Sequence, residues 1–306
     1  MKILLRQKSG LGNQLFQYAA GLFFARRYGA TLEVIREREE KATSFGHPRP
    51  FLLPKFCIST TTRERNGRDQ LLCSTASYKG PLAKMARLAT GTRLYKPEFV
   101  TDWVFQPDLP VNPSTRIIYL DGYFQAHQYA TEIEETLRAE LTLCQAPQEK
   151  NRIVFEQIQS CEHPVSLHVR RGDYTTIYGG RDALPMTYYQ NAIDAIQGRV
   201  AKPTFFVFSD DIAFCRENLP AGPRYIFVDH NNEMEAHEDL RLMSSCCDHI
   251  IANSSFSWWG AWLNPNPDKI VLAPDRWLDP AVPHPDLIPS TWKRISTAET
   301  ASPLNA

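Results

Sequence analysis

The sequence predicts an α/β protein with two halves, each built around a parallel β-sheet that is flanked by helices. In the second half, five short apolar stretches alternate with segments of helical periodicity. In the first half, a glycine-containing turn joins an apolar strand to a long helix. The chain has 306 residues, of which 43% are hydrophobic, so it is long and apolar enough to bury two cores.

The second half has the clearer pattern, because short apolar strands separated by helices are typical of a parallel sheet with right-handed crossovers. Asn231 and Asn232 precede the third of its helices, and either residue can cap that helix. Strands are predicted at 165–169, 204–208, 225–228, 249–252 and 270–273. Helices are predicted at 186–197, 211–218, 233–246 and 256–263.

The first half is less regular. Residues 38–115 have weak periodicity, so short helices and loops are expected there. The clearer elements are strands at 2–7 and 31–35, a helix between them that ends near Gly29, a strand and loop at 117–125, and a helix at 127–141. A domain boundary is expected near 145–162. We divide the chain into an N-terminal domain, 1–155, and a C-terminal domain, 156–306, whose proline-rich tail is expected to be extended.

Composition restricts the classes of function. Lys and Arg together number 34, as do Asp and Glu, and zero net charge argues against a nucleic-acid-binding protein. The first residues are not expected to act as a signal peptide, because Arg6 and Lys8 interrupt the apolar run, and no apolar stretch is long enough to be expected to span a membrane. The seven cysteines contain no C-x-x-C pair, which favours reduced thiols in a cytoplasmic protein. Peripheral contact with the inner face of the membrane remains open.

The stretch "HVRRGDY", residues 168–174, stands at the end of an apolar strand. Strand residues alternate between faces, so His168 and Arg170 share one face. An arginine at this place suits a phosphate, which its planar fork can hold with two hydrogen bonds. A structural salt bridge and an adhesive Arg-Gly-Asp loop are the alternatives. The adhesive reading is disfavoured, because an apolar strand rather than a protruding loop precedes Asp173.

Two further strands end in polar residues. In "FFVFSDD", Asp211 can cap the following helix or belong to a site. In "HIIANSS", Ser254 and Ser255 are at the start of a predicted helix. Serine hydroxyls together with the unpaired backbone N–H groups of a helix N-terminus favour phosphate binding. The glycosylation sequon that starts at Asn253 is discounted at the end of a buried strand. The aromatic residues that follow are expected to be mostly core rather than a ligand platform.

Four stretches, "GLGNQLFQYAAG", "HVRRGDY", "FSDD" and "NSSFSWWGAW", occur in this order and together resemble the α-1,2-fucosyltransferases of glycosyltransferase family 11. The resemblance extends from about residue 3 to 275, and loosely over 38–115. It implies a GT-B fold, with two Rossmann-like domains and a cleft between them. It also implies GDP-β-L-fucose as the donor, the 2-hydroxyl of a terminal galactose in a glycan as the acceptor, and an N-terminal domain on the acceptor side.

The resemblance also implies site residues. Arg170 is expected on the β-phosphate of the donor and His168 against its nucleotide, while Asp248 would read guanine with its two carboxylate oxygens. The other residues are placed near the diphosphate or the sugar of the donor: Gly12, Asn13, Asp211, Ser254 and Ser255. Asp173 is expected to order the turn that carries Arg170.

No metal or other cofactor is expected, because the chain has no D-x-D sequence and Arg170 can supply positive charge at the leaving group. The general base stays open. Asn13 carries an amide, which is no base near neutral pH, while Asp173, Asp211 and glutamates within 38–115 remain candidates. Two alternatives to a fucosyltransferase are a transferase that uses another GDP-sugar and a carbohydrate-binding protein that uses the aromatic residues near 256–262.

Overall fold

The computed structural model describes residues 1–36, 49–69, 81–98, 101–175, 180, 182–278 and 284–298. The chain forms two compact units. Unit 1 comprises Met1–Cys144 and Pro283–Leu287, and unit 2 comprises Gln145–Val282 and Ile288–Ala306.

Unit 1 contains a parallel five-stranded sheet in the order β3-β2-β1-β5-β4. The chain leaves β1 toward β2 and later returns to pair β5 with the other side of β1, so the strand order reverses between β1 and β5. The strands are β1 (Lys2–Gln7), β2 (Thr31–Arg36), β3 (Thr61–Glu64), β4 (Thr92–Tyr95) and β5 (Ile117–Leu120).

Helix α1 (Leu11–Arg27) is buried along most of its length, because its own apolar residues occupy nearly every face of the helix. Gly29 follows it with a positive φ of 57°, and the predicted end of this helix is confirmed. The single helix predicted at 127–141 is wrong, since two short helices occupy this stretch. The other helices of unit 1 are α2 (Pro81–Thr90), α3 (Gln128–Thr131) and α4 (Glu134–Glu140), with 3₁₀ turns at Leu53–Lys55 and Thr101–Trp103.

Unit 2 contains a parallel six-stranded sheet in the order β11-β10-β9-β6-β7-β8. The five predicted strands are present. The sixth, β11, comes from the proline-rich tail, which was expected only to be extended. The strands are β6 (Pro164–Val169), β7 (Thr204–Ser209), β8 (Tyr225–Val228), β9 (Asp248–Ile250), β10 (Val271–Pro274) and β11 (Lys293–Ile295).

The helices of unit 2 begin with α5 (Glu149–Ser160), which the sequence analysis did not predict. This helix runs through residue 155 and contacts α8, so the division of the chain lies after Cys144 rather than at 155. The remaining helices are α6 (Met186–Gln197), α7 (Ile212–Asn218), α8 (Ala236–Ser244) and α9 (Ser255–Leu263), with 3₁₀ turns at Gly172–Thr175 and Glu233–Glu235.

The third predicted helix of unit 2 is observed as the 3₁₀ turn Glu233–Glu235 followed by α8, and Asn232 caps that turn, since its side chain accepts the N–H of Met234 in a capping box with Glu235. Asn231 has another role. Its amide nitrogen donates to Asp239 at 2.7 Å, and its side chain exchanges hydrogen bonds with Asn151 of α5. Burial raises the pKa of Asp239 to about 7. These contacts join α5, the end of β8 and α8.

The core of unit 2 holds all three tryptophans of "SFSWWGAWL". Trp258 and Trp259 are fully buried, and Trp262 is 6% exposed. Their rings pack on one another and on Trp292 at centroid distances of 5.0–6.4 Å. Buried indoles cannot serve as a sugar platform, so the aromatic feature behind the carbohydrate-binding alternative is core, as the sequence analysis preferred.

The cysteines differ from the expectation. The structure joins Cys57 and Cys144 in a disulfide within unit 1, so the prediction that all thiols are reduced is wrong for this pair. Buried free thiols are present at Cys215 and Cys246. In the ranges that the structure describes, no helix is long and apolar enough to cross a membrane.

Candidate active site

The candidate site lies at the carboxyl edge of the sheet in unit 2, where its parallel strands end. Strand β6 is central, with β7 on one side and β9 on the other. The chain passes from β6 to β7 and β8, and then crosses to the other side of β6 to form β9. In open α/β sheets, ligands bind at such a reversal of strand order, beyond the carboxyl ends of the strands. The turns after β6 and β9 therefore flank the expected binding position.

Arg170 is the first residue after β6. Its guanidinium contacts the Asp210 carboxylate at 2.7 Å, and both side chains are partly buried, at 20% and 27% exposed. The guanidinium also lies 5.3 Å from the centre of the Tyr174 ring. A charged pair and an aromatic ring together hold the arginine in a defined orientation at the strand end.

Asp210 also shapes the turn that follows Arg170. Its second oxygen accepts the backbone N–H of Arg171 at 2.9 Å. Gly172 lies so close that a β-carbon there would collide with the Asp210 carboxylate. A glycine is thus required for the close approach, and one carboxylate fixes both the arginine and its turn. The side chain of Asp173 lies outside the described residues.

Arg171 and Asp211 form a second pair, with 3.3 Å between Nε and Oδ2. The Arg171 guanidinium stacks 3.4 Å from the centre of the Phe214 ring. Asp211 caps α7, because its side chain accepts the N–H of Phe214 at 3.1 Å. The capping alternative for Asp211 is therefore observed. Arg171 is only 25% exposed and packed on a ring, which does not fit the adhesive reading of Arg-Gly-Asp.

His168 lies on β6, two residues before Arg170, and is 5% exposed. Its ring is 5.8 Å from that of Phe256, in the first turn of α9. The pKa of His168 is lowered to about 4, chiefly by burial, while the charge of Asp210 opposes this shift and the charge of Arg170 adds to it. The imidazole is therefore neutral at pH 7. Its Nδ1 is buried and has no hydrogen-bond partner within the described chain.

The turn after β9 carries the predicted serines. Ser254 is the N-cap of α9, and its hydroxyl accepts the N–H of Phe256 at 3.3 Å. Ser255 is the first residue of that helix. The Asn253 amide donates to two backbone carbonyls, at 2.6 and 2.8 Å, and the residue is 1% exposed. A glycan cannot reach such an amide, so the sequon is not a modification site.

Tyr174 connects the two turns. Its hydroxyl donates to the carbonyl of Asn253 at 3.2 Å, while its ring faces the Arg170 guanidinium. The structure therefore brings His168, Arg170 and the start of α9 into one connected group of contacts.

Asp248 is not part of this group. It begins β9 and pairs in register with Val165 near the start of β6, so it lies toward the amino edge of the sheet. One carboxylate oxygen accepts the N–H of Ile270 at 2.7 Å, and the other contacts His163 at 2.7 Å. The residue is 3% exposed. The guanine-reading role predicted for Asp248 does not fit this position, since both oxygens have internal partners at the opposite edge.

Gly12 and Asn13 lie in unit 1, in the first turn of α1. Gly12 is buried. The side-chain oxygen of Asn13 accepts a short hydrogen bond from the Gln125 amide. The turn before α1 contains Ser9 with a positive φ of 68°. Their predicted place near the donor sugar stays a prediction.

Sequence reasoning missed three residues of the site. Asp210 was noted beside Asp211 but not chosen, because either carboxylate can cap a helix and the sequence does not say which one does. Tyr174 and Phe256 act through contacts between turns that are far apart in sequence, 79 residues for Tyr174 and Asn253, and a single sequence carries no signal of such contacts. Among the described residues, no group of three or more His, Cys, Asp or Glu side chains is placed to hold a metal ion.

Two parallel-sheet units, with an arginine at the end of a central strand in the second, define the fold class of GT-B glycosyltransferases. Solved structures of that fold agree. The fucosyltransferase NodZ from Bradyrhizobium superposes with a TM-score of 0.52 at 14% identity, over 86% of this chain and 93% of that chain. An α-1,6-fucosyltransferase NodZ soaked with GDP-fucose superposes with a TM-score of 0.51 at 16% identity, over 86% and 92%.

The chain belongs to glycosyltransferase family 11, whose model matches residues 108–288. It is 32% identical to the O-antigen biosynthesis glycosyltransferase WbnK of Escherichia coli, over 88% of this chain and 92% of WbnK. It is 29% identical to an α-1,2-colitosyltransferase of Escherichia coli, over 96% and 98%. It is 26% identical to galactoside α-(1,2)-fucosyltransferase 1 of Leontocebus fuscicollis, over 82% and 62%.

Proposed function

We propose that this glycosyltransferase transfers L-fucose from GDP-β-L-fucose to the 2-hydroxyl of a terminal galactoside, with inversion at the anomeric carbon. The observation that carries the proposal is Arg170, held by Asp210 at 2.7 Å at the carboxyl end of the central strand of unit 2. Similarity to proteins named for α-1,2 transfer to galactosides supports the linkage and the acceptor.

The leaving group explains why an arginine belongs here. Transfer breaks the bond between the sugar C1 and the β-phosphate oxygen, and GDP departs with the bonding electrons. Arg170 and the positive end of the α9 helix dipole stabilise the charge that develops on that phosphate. Because this charge grows along the reaction, the interaction favours the transition state more than the bound donor. The same positive charge takes the role that a metal ion has in other sugar transferases.

The acceptor hydroxyl must lose a proton as it attacks C1 from the face opposite to GDP. Neither Asn13 nor Asp211 suits the role of base. Asn13 has an amide, and the Asp211 carboxylate is already held by the N–H of Phe214 and by Arg171. A transition state in which GDP departs early needs only a late proton acceptor. Asp173 stays a candidate for ordering the turn or accepting the proton.

GDP-colitose is the second candidate donor, because a protein named as an α-1,2-colitosyltransferase is 29% identical over 96% of this chain. Colitose is fucose without the 3-hydroxyl. An active site that binds this hydroxyl with buried polar groups rejects the deoxy sugar strongly, whereas an apolar contact at C3 discriminates weakly. The ratio of kcat/KM for the two donors therefore separates the two functions.

The test is a donor screen with and without lactose as the acceptor. GDP-fucose, GDP-colitose, GDP-mannose and UDP-galactose are incubated with the full chain, and both released nucleotide and transferred sugar are measured. We expect the highest kcat/KM with GDP-fucose and a product linked α-1,2. Activity should survive excess EDTA. A higher kcat/KM with GDP-colitose than with GDP-fucose would mean that GDP-colitose is the donor. Activity that is lost in EDTA and restored by Mn²⁺ would contradict the metal-free mechanism.

We propose a cytoplasmic location, with peripheral contact to the inner membrane face left open, since nucleotide sugars are made in the cytoplasm. The disulfide between Cys57 and Cys144 is unusual for that compartment. Thiol titration of protein purified under an alkylating quench measures whether this pair is oxidised in the cell.

A further inference from the structure

Asn253, the first residue of the discounted glycosylation sequon, lies where several loops at the carboxyl edge of unit 2 meet. It follows β9, directly precedes the N-cap of α9 and is 1% exposed. Its amide nitrogen donates to the carbonyl of Asp182, in the loop before α6, at 2.8 Å. The same nitrogen donates to the carbonyl of Trp277, in the turn after β10, at 2.6 Å. One side chain therefore joins three segments that are far apart in sequence.

The chemistry of these contacts requires a short side chain with two donors. The NH₂ group of an asparagine supplies two hydrogens, whereas an ionised aspartate supplies none and a serine supplies one. The side-chain oxygen of Asn253 is buried and has no hydrogen-bond partner within the described chain. The two carbonyls therefore fix the orientation of the amide, because turning it over would place its oxygen against both of them.

The backbone around Asn253 is tied to two further elements. The carbonyl of Asn253 accepts the hydroxyl of Tyr174 at 3.2 Å, and the Tyr174 ring lies 5.3 Å from the Arg170 guanidinium. Two residues earlier, the carbonyl of Ile251 accepts the hydroxyl of Tyr188, in α6, at 2.6 Å. The chain between β9 and α9 is thus held by the turn after β6 and by helix α6.

These contacts connect the two features that act on the diphosphate in the proposed mechanism. Arg170 and the positive end of the α9 dipole serve the same phosphate, so their separation must match the size of that group. Asn253 directly precedes the N-cap of α9 and is linked to Arg170 through Tyr174. A shift of Asn253 would therefore move one feature relative to the other.

We propose that Asn253 is a positioning residue of the transfer reaction, which holds Arg170 and the start of α9 at the separation that the departing diphosphate requires. This assignment rests on the proposed transferase function. It also gives the asparagine of the sequon a role inside the protein, where both hydrogens of its amide are used.

Asn264 offers a matched control at the other end of α9. It is 3% exposed, and its amide nitrogen donates to the carbonyls of Cys246 at 2.8 Å and Cys247 at 3.2 Å. The same nitrogen contacts His249 at 2.8 Å. Cys246 and Cys247 directly precede β9, so these contacts lie at the amino edge of the sheet. Asn264→Asp therefore removes the same kind of buried donor away from the candidate site.

The variant Asn253→Asp keeps the shape of the side chain and removes both donors. We expect kcat with the donor that the screen selects to fall by about 10²-fold, while the dissociation constant of GDP, measured by calorimetry, changes by less than about threefold. Asn264→Asp should lower Tm at least as much and keep kcat within about twofold of the wild type. An unchanged kcat in Asn253→Asp, or an equal loss of kcat in the two variants, would overturn the proposal.

A milder variant tests the link to Arg170 if Asn253→Asp does not fold. Tyr174→Phe removes the hydroxyl that reaches Asn253 and keeps the ring beside the guanidinium. We expect kcat to fall by about three- to tenfold, with an unchanged dissociation constant for GDP. Wild-type kcat in Tyr174→Phe would mean that Asn253 does not act through Tyr174, and the proposal would be wrong.

Hydrogen exchange of the full chain without nucleotide separates this proposal from the proposed function. Mass spectrometry follows residues 170–175, 182–188 and 275–278. In Asn253→Asp, exchange should accelerate by at least about tenfold in all three segments, and in Asn264→Asp it should stay at the wild-type rate. If the wild type consumes no GDP-sugar, the proposed function fails, and exchange still decides whether Asn253 holds these segments. If transfer is found and exchange in Asn253→Asp is unchanged, the positioning role is wrong although the function stands.

Discussion

The two edges of the sheet in unit 2 carry similar side chains and differ in what those side chains contact. At the amino edge, Asp248 is held by His163 and by the N–H of Ile270. Nearby, His249 is fully buried between Ser166 at 2.7 Å and Asn264 at 2.8 Å, and burial lowers its pKa to about 3. These networks are closed, because both carboxylate oxygens of Asp248 and both ring nitrogens of His249 have partners within the protein.

At the carboxyl edge, Arg170 and Asp210 are only partly buried, and the ring nitrogen Nδ1 of His168 has no partner within the described residues. A buried aspartate or histidine is therefore not by itself evidence of a site. Polar groups whose hydrogen bonds are complete stabilise the fold, whereas partly exposed charges at strand ends remain able to bind a ligand.

The largest effect is expected from Arg170. Removing its guanidinium leaves the departing diphosphate without its cation, so Arg170→Ala should lower kcat/KM by more than about 10³. Arg170→Lys keeps the charge and loses the planar fork, and should cost roughly 2–4 kcal/mol, or on the order of 10²–10³ in rate. Steady-state kinetics with the donor that the screen selects measure both values.

The matched control is Arg216→Ala. Arg216 also forms an arginine–aspartate pair, with Asp229 at 2.6 Å, but both side chains are about half exposed. Its loss should change activity by less than about twofold, because exposed pairs contribute little. If Arg170→Lys retains more than half of the wild-type activity in a folded protein, the phosphate role of Arg170 is wrong.

The second-largest loss of activity is expected at Asp210, whereas its neighbour Asp211 should contribute mainly to stability. Asp210→Ala releases both Arg170 and the N–H of Arg171, and a shift of about 1 Å in a positioned group can cost on the order of 10² in rate. Asp211→Ala removes the cap of α7 and should cost about 1 kcal/mol of unfolding free energy with little loss of activity. Kinetics and urea unfolding of both variants check this. Equal loss of activity in the two would mean that Asp211 belongs to the site, as the sequence analysis expected.

The smallest effect on catalysis is expected at the amino edge. Asp248→Asn replaces one carboxylate oxygen with an NH₂ group, so either His163 or the N–H of Ile270 loses its acceptor. The unfolding free energy should therefore fall by about 1–3 kcal/mol. Affinity for GDP, measured by calorimetry, should stay within about twofold. A tenfold loss of GDP affinity at unchanged stability would instead restore the predicted contact between Asp248 and guanine.

Local pattern and tertiary contact contributed differently to the site. The order of strands and helices in unit 2 follows from hydrophobic periodicity, and so does the place of Arg170 after β6. Hydrophobic periodicity does not show whether Asp210 or Asp211 holds Arg170, because this depends on which carboxylate lies beside the guanidinium after the strands have paired. Asp248 was assigned by resemblance, and only the register of β9 against β6 shows that it lies at the other edge.

The sequence alone determined the α/β class, the parallel sheet of unit 2, the family motifs and the positions of His168, Arg170 and Ser254 at the ends of strands. These features are local, and residue spacing along the chain encodes them. The tertiary structure decided the partners: Asp210 for Arg170, Tyr174 between two turns, Gln125 beside Asn13, and helix α5 as part of unit 2. Such contacts join residues far apart in sequence. They form only when the sheets close, because burial and strand register, rather than local propensity, select which polar groups meet.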